Sequence, residues 1–197
     1  MVVLFKYKGV RHLLKLHFIR HGETEWNVEN RLQGSLDSPL TKRGREAVKE
    51  LKKQTDCIKW RAVYASPSGR AIETASLLTD IDKIVRDERL KEMNLDKFEG
   101  LTWDEVKLMN EQQYYYYWHA PDKFSLPYAE TFLEVEDRVR HFLKDIKETY
   151  SYGNVMIVTH GVIIKIAEMI INQQKLAFLW ERPHVKGASI TAFKLDS

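Results

Sequence analysis

Two apolar runs, each ending in a His-Gly pair, constrain the fold more than any other feature of this sequence. Residues 155–158 (VMIV) are apolar without interruption and lead into Thr-His-Gly at 159–161. The largely apolar run 16–19 leads into Arg-His-Gly at 20–22. A continuous apolar run is typical of a strand that is buried on both faces of a parallel sheet. We therefore expect two central strands, each with an imidazole at its carboxyl end.

Strand and helix patterns alternate along the remaining chain, which predicts an α/β fold with a mostly parallel central sheet. Strands are expected at 14–19, at 62–65, briefly within 84–101, at 155–158 and at 189–195. Residues 21–40 are expected to be loop. Helices are expected at 41–55 with Thr41 as N-cap, after Ser66 as N-cap with Pro67 in the first turn, after capping boxes at 102–105 and 131–134, and at 162–172.

Composition excludes several classes of protein. With one cysteine, Cys57, no internal disulfide can form, which favours a reducing compartment. A net charge of +3 is too small to argue for a nucleic-acid partner. The apolar stretch 162–171 carries Lys165 and Glu168 and is too short to span a bilayer. We expect a cytoplasmic protein with one domain over residues 1–197, in which residues 1–13 form an added strand or a tail, and no membrane partner.

Polar residues gather where the expected strands end, and ligands of open α/β sheets bind at that edge. Arg20 and His21 follow the first strand, Arg70 lies shortly after the second, and His160 follows the 155–158 strand. Two guanidinium groups match the oxygens of a phosphate, whereas they raise the potential against a metal cation. The backbone N–H groups beside Gly161 add donors at a helix start. The sequence therefore predicts an anion site and no metal site.

An anion site with histidines suits phosphoryl transfer. Imidazole is an available nucleophile at neutral pH, and arginines can stabilise the charge on the transferred group. The leaving alkoxide then needs a proton from a nearby carboxylic acid. From this reasoning alone the proton donor stays open among five glutamates, namely Glu23, Glu25, Glu73, Glu92 and Glu99.

Four blocks in the same order resemble those of the histidine phosphatase superfamily. They are RHGETEWN at 20–27, SPSGRAIETA at 66–75, LKE at 90–92 with FEG at 98–100, and THG at 159–161. The resemblance extends from about residue 14 to the end and is strongest to small bacterial phosphatases of broad specificity. It implies a phosphoglycerate mutase-like, three-layer α/β/α fold.

The resemblance also implies roles for individual residues. His21 would carry the phosphoryl group, Arg20, Arg70 and His160 would bind it, and Glu92 would donate the proton and then activate water. The substrate pocket would include Asn27, Gln33, Gly34 and Gly161. No cofactor and no metal is expected, and the partner would be a small-molecule phosphate ester, with a homodimer as a possible assembly.

The chain departs from the family pattern at a few positions. Asp96 and Phe98 stand where the family often has Gly and Trp, and Ala-Glu-Thr at 129–131 replaces Gly-Glu-Ser. Because Asp tolerates a left-handed backbone better than most residues, the turn at Asp96 is expected to persist.

Three functions remain open at this stage. The first is a metal-independent phosphomonoesterase, acting on sugar phosphates, ribazole phosphate, nucleotides or phosphoproteins. The second is a cofactor-dependent phosphoglycerate mutase, which the lack of arginine between Glu92 and Glu130 disfavours because a carboxylate clamp is expected there. The third is an inactive phospho-ligand-binding module. The aromatic run 114–118 is either a lid on the pocket or a helix that is partly in the core.

Overall fold

The protein is built around a sheet whose strands place the polar loops on one edge. The computed structural model describes residues 13–79, 84–181 and 183–195; the N-terminal strand or tail predicted over 1–13 lies outside them, Leu13 excepted. Within these residues the sheet has five strands in the order β3-β2-β4-β1-β5. The strands are β1 (Leu14–Arg20), β2 (Trp60–Ala65), β3 (Val85–Arg86), β4 (Gly153–Thr159) and β5 (Ile190–Leu195). All neighbours are parallel except β5, which runs antiparallel to β1.

The helices follow the predicted alternation. They are α1 (Glu25–Val28), α2 (Lys42–Thr55), α3 (Gly69–Leu78), α4 (Trp103–Met109), α5 (Glu111–His119), α6 (Phe132–Thr149) and α7 (Gly161–Ile171). The threonines predicted as caps, Thr41, Thr102 and Thr131, each accept a backbone N–H at a helix start. In the described part of the chain, no helix combines the length and the apolar character that crossing a membrane requires.

Side chains alternate between the two faces of the sheet, because successive strand residues point in opposite directions. Phe18 and Ile157 pack into a core shared with α6 and α7. Ile19 and Val158 pack into a second core shared with α2 and α3. The sheet is thus covered on both sides, which confirms the predicted three-layer architecture with a mostly parallel sheet.

The pairing of β1 with β4 fixes the position of both histidines. In this parallel pair Arg20 lies opposite Thr159, and the N–H of His21 donates to the carbonyl of Thr159 over 3.0 Å. The residue that follows each strand is a histidine, so the two histidines lie side by side at the carboxyl edge of the sheet. Residues 139 positions apart in the sequence (His21 and His160) become neighbours through one hydrogen-bonded ladder.

Two local predictions were wrong. Ser66 is not the N-cap of α3: the cap is Ser68, and Ser66 instead uses its Oγ in a 2.8 Å hydrogen bond with His160 Nε2. The segment 21–40 is not all loop, since α1 forms within it. That short helix begins where Thr24 and Asn27 satisfy each other's backbone N–H groups in a capping box.

The substituted family positions keep their local structure. Asp96 has φ of 47°, the left-handed conformation expected of it, and Phe98 is completely buried. The aromatic run forms the end of α5, in which Tyr117 is buried and Tyr115 is exposed. The interpretation of this run as a partly buried helix is therefore confirmed.

We predict that Gly44→Ala destabilises the protein although alanine favours a helix interior more than glycine. A Cβ at Gly44 would lie 2.2 Å from the backbone oxygen of Glu23, so α2 must move away from the loop after His21. The expected loss is about 1–3 kcal/mol, as for an overpacked core. Urea unfolding of both proteins measures it. Helix propensity alone predicts a gain of about 1 kcal/mol, and such a gain would contradict the close approach.

Candidate active site

His21 lies at the end of β1 with one ring nitrogen held and the other available. The side chain is buried, and its Nδ1–H donates to the carbonyl of Gly22 over 2.8 Å. Because a carbonyl only accepts, Nδ1 carries the proton and the lone pair of neutral His21 is on Nε2. Burial, together with the charges of Arg70 and Arg20, lowers the pKa of His21 well below its ordinary 6.5. His21 is therefore neutral and nucleophilic at neutral pH.

Arg70, in the first turn of α3, is a charged side chain almost removed from solvent, with 1% of its surface exposed. Its Nη1 donates to the carbonyl of Leu36 and to Asp37 Oδ1, both at 2.7 Å. Its Nη2 donates to the carbonyl of Gly34 over 3.0 Å. These bonds fix the guanidinium plane and tie α3 to the loop that follows α1.

His160 stands beside His21, with the two ring centroids 5.2 Å apart. The ring is completely buried and is held through Nε2 by Ser66. Burial lowers the pKa of His160 well below 6.5, and the charge of Arg70 adds to that effect. His160 is therefore also neutral before an anion arrives.

Three buried nitrogens at this place have no hydrogen-bond partner among the described residues: Arg20 Nε, Arg70 Nε and His160 Nδ1. An unsatisfied buried polar group costs about 1–3 kcal/mol, so such groups are rare unless they serve a ligand. Two of the three belong to guanidinium ions. Oxygens of a bound anion would satisfy both guanidinium nitrogens, and His160 Nδ1 as well when that nitrogen carries a proton, which makes this cluster an anion site.

Glu92 supplies a carboxyl group at the same cluster. Its Oε1 accepts from the N–H of Met93 over 3.0 Å and its Oε2 from the N–H of Val162 over 3.3 Å. A Cβ on Gly161 would lie 3.8 Å from Arg20 Nε and 3.9 Å from Glu92 Oε2, so Gly161 sits where the two groups meet. Burial raises the pKa of Glu92, against the opposing effect of the N–H groups and of the arginines. The acid can therefore hold a proton at higher pH than a free glutamate.

A cavity of about 630 Å³ opens in front of this cluster. Every residue predicted for the site lines it except His160, whose ring lies behind the lining, next to that of His21. The lining ones are Arg20, His21, Asn27, Gln33, Gly34, Arg70, Glu92 and Gly161. Asn27 and Gln33 also hold the loop, because both hydrogen-bond with Thr24. The structure thus brings the predicted residues together, while their individual roles stay predictions.

Sequence reasoning missed one part of the cavity wall and anticipated another only in part. The missed part is the segment 184–187, where Arg20 Nη1 donates to His184 Nε2 over 2.7 Å and to the carbonyl of Val185 over 2.6 Å. Burial, with the charges of Arg20 and Lys165, lowers the pKa of His184, so it stays neutral and able to accept. The other part is aromatic and consists of Trp103, Tyr117, Trp118 and Trp180. Tyr117 and Trp118 belong to the run 114–118, which was predicted to be either a lid on the pocket or a partly buried helix, whereas Trp103 and Trp180 were not predicted. None of the four sequence blocks contains these residues.

Comparison with known proteins agrees with the geometry. A family model described as "Histidine phosphatase superfamily (branch 1)" matches residues 16–197. A Hydrogenobacter thermophilus protein with the provisional name phosphoserine phosphatase 2 is 34% identical, over 92% of this chain and 90% of its own length. The structure of Bacillus stearothermophilus YhfR is 38% identical with a TM-score of 0.87, over 91% of this chain and 90% of that one. Entamoeba histolytica phosphoserine phosphatase, solved with 3-phosphoglyceric acid, is 26% identical with a TM-score of 0.81, over 91% and 90%.

We predict that Arg20→Lys weakens the binding of inorganic phosphate at least about tenfold. Lysine keeps the charge but loses the planar fork that places Nε beside Arg70 and His160. Isothermal titration calorimetry measures the affinity. Arg140→Lys on α6, whose side chain is exposed and paired with Glu136, is the matched control and should bind phosphate as the wild type does. Equal affinities for all three proteins would place the anion elsewhere.

Proposed function

The chain belongs to branch 1 of the histidine phosphatase superfamily, and from this premise we propose that it hydrolyses phosphate monoesters through a phosphohistidine formed on His21. The observation that carries the proposal is the free Nε2 of a neutral, buried His21 beside the unpartnered nitrogens of Arg20, Arg70 and His160.

In the first step, the Nε2 lone pair of His21 attacks phosphorus and the bond from phosphorus to the ester oxygen breaks. Arg20, Arg70 and His160 bind the three non-bridging oxygens as charge develops on them. The departing oxygen takes the proton of Glu92, whose raised pKa keeps that proton available. The step leaves a phosphohistidine, an alcohol and an ionised Glu92.

In the second step, Glu92 reverses its role. The carboxylate accepts a proton from a water molecule as the water oxygen attacks phosphorus, and the N–P bond breaks. His21 regains its lone pair, Glu92 regains its proton, and inorganic phosphate is released. Because one carboxyl group serves both steps, its place against the start of α7 must suit the ester oxygen and the attacking water alike.

The shape of the cavity supports a small-molecule ester as the substrate. The cavity holds about 630 Å³, and four aromatic rings form part of its wall, so it suits the alcohol part of a metabolite better than a nucleic acid. The relatives point to small esters too: one carries the provisional name of a phosphoserine phosphatase, and another binds 3-phosphoglyceric acid. We propose the cytoplasm as the compartment of the protein, and a homodimer as a candidate assembly.

Hydrolysis is proposed over mutase activity because the segment between Glu92 and Glu130 has no arginine to hold a substrate carboxylate. With 3-phosphoglycerate as substrate, we expect glycerate and inorganic phosphate, and ³¹P NMR distinguishes these from 2-phosphoglycerate. An isomerised ester as the main product would make the protein a mutase.

We predict that Glu92→Gln separates the two chemical steps. With p-nitrophenyl phosphate as the substrate, the nitrophenolate leaves without a proton, so phosphorylation of His21 continues. Glutamine cannot accept the proton of water, so hydrolysis of the phosphohistidine slows. Stopped-flow absorbance should then show a burst of about one nitrophenolate per active site, followed by turnover reduced about 10²- to 10⁴-fold.

Two variants complete that experiment. Glu25→Gln changes an exposed glutamate in the first turn of α1, outside the cavity, and should keep wild-type turnover. His21→Ala removes the nucleophile and should abolish both burst and turnover. An undiminished steady rate in Glu92→Gln, or a burst in His21→Ala, would contradict the assignment of these two residues.

A further inference from the structure

His160 differs from the two arginines of the anion site, because its ability to bind an oxygen depends on a proton. Guanidinium nitrogens always donate, since arginine keeps its charge in proteins. An imidazole nitrogen donates only when it is protonated, and otherwise its lone pair repels an anionic oxygen. Nδ1 of His160 has no partner among the described residues, and the ring is completely buried. The protonation of Nδ1 therefore decides whether His160 binds an anion or opposes it.

Ser66, directly after β2, determines which nitrogen of neutral His160 carries the proton. Its Oγ lies 2.8 Å from His160 Nε2, and the same Oγ donates to Ser68 Oγ over 3.1 Å. A hydroxyl has one proton to donate. Because that proton is directed to Ser68, Ser66 accepts from His160, so Nε2 carries the ring proton and Nδ1 has the lone pair. The neutral ring thus meets an anion with the nitrogen that cannot donate.

The charged and titratable groups around His160 come from several parts of the fold and are mostly cationic. They are Arg20 and His21 at the end of β1, Arg70 on α3, Arg138 on α6 and Glu92, which contacts the start of α7. Burial and the arginines hold the pKa of His160 well below 6.5. A bound dianion adds two negative charges beside Nδ1, and negative charge nearby favours the protonated form of an imidazole.

We propose that the binding of a phosphate dianion is coupled to the uptake of one proton by His160 Nδ1, and that Ser66 is the positioning residue that directs the proton to that nitrogen. The proton comes from the solution, either from the buffer or on the ester when it enters as a monoanion, and only the new N–H bond forms on the protein. The imidazolium then donates through Nδ1 to the anion and through Nε2 to Ser66. This inference rests on the anion site of the function proposed above and adds a third cation to it.

Sulfate is the probe, because it is a tetrahedral dianion that does not itself take up a proton near neutral pH. In protein labelled with ¹⁵N in its histidines, NMR shifts of the ring nitrogens show which of them carries a proton, and His160→Gln assigns the signals. At about pH 7.5 we expect His160 of the free protein to have a proton on Nε2 alone. Saturating sulfate should shift both of its nitrogens to the position of an imidazolium.

Calorimetry counts the proton independently. Titrations of sulfate in buffers of different ionisation enthalpy give the number of protons taken up, which should be about one for the wild type. Because the complex holds the extra proton, the affinity should fall up to about tenfold for each unit of rising pH. His160→Gln, whose amide donates without titrating, should lower the count by about one. Glu92→Gln should leave the count unchanged.

We expect Ser66→Ala to remove the proton uptake and not only to weaken binding. Without the hydroxyl, an imidazolium would bury an Nε2–H that lacks an acceptor, whereas the neutral ring can place its single proton on Nδ1 and donate to sulfate. The spectra of that complex should show Nδ1–H alone, and the count should fall by about one. Ser66→Thr, which keeps the hydroxyl, should retain the count, and Ser76→Ala, an exposed serine on α3, should equal the wild type.

The outcomes separate this inference from the proposed function. A His160 ring that stays neutral with sulfate bound, or a proton taken up by Glu92 instead, overturns the proposal, and the wild-type spectra decide this whether or not the Ser66 variants fold. A Ser66→Ala protein that binds sulfate equally more weakly at every pH and still takes up one proton overturns the role of Ser66. Hydrolysis of p-nitrophenyl phosphate is unaffected by either result. A wild type that neither shifts its two site histidines with sulfate nor hydrolyses this ester overturns the proposed function instead.

Discussion

The parallel pairing of β1 with β4 is the constraint on which the rest of the structure depends. With Arg20 opposite Thr159, each strand releases its chain at the same edge of the sheet, and each next residue is a histidine. A shift of one residue in this register would turn every side chain of β1 to the opposite core. The same packing that buries Phe18 and Ile157 on one side, and Ile19 and Val158 on the other, therefore also holds the two imidazoles together.

The electrostatics of the site follow from the burial of positively charged arginine side chains. The guanidinium of Arg70 is held by Gly34, Leu36 and Asp37, and its charge helps to keep His21 and His160 neutral. Neutral imidazole is the nucleophilic form, so the groups that bind the phosphoryl oxygens also prepare the attacking nitrogen. Burial raises the pKa of Glu92, whereas it lowers the pKa of the two histidines, because a carboxyl group becomes charged when it loses its proton.

The sequence predicted the elements that depend on local chemistry and the residues that follow strands. The threonine caps and the apolar strands are such cases, whereas reasoning from the residues left five candidate acids and only the resemblance to a family singled out Glu92. Other features depended on contacts between distant segments. Ser66 looked like a helix cap because Pro67 follows it, yet its hydroxyl serves His160, 94 residues away. The wall formed by Trp180, His184 and Val185 had no periodicity or motif, since a loop that passes over a cavity is shaped by what it contacts.

The most direct test of this account is the chemical position of phosphate on the enzyme. Phosphoenzyme trapped from Glu92→Gln and examined by ³¹P NMR, with peptide mapping by mass spectrometry, identifies both the residue and the ring nitrogen. The account predicts phosphate on Nε2 of His21, because Nδ1–H is held by the carbonyl of Gly22. Phosphate on Nδ1, on His160 or on a serine such as Ser66 would contradict it.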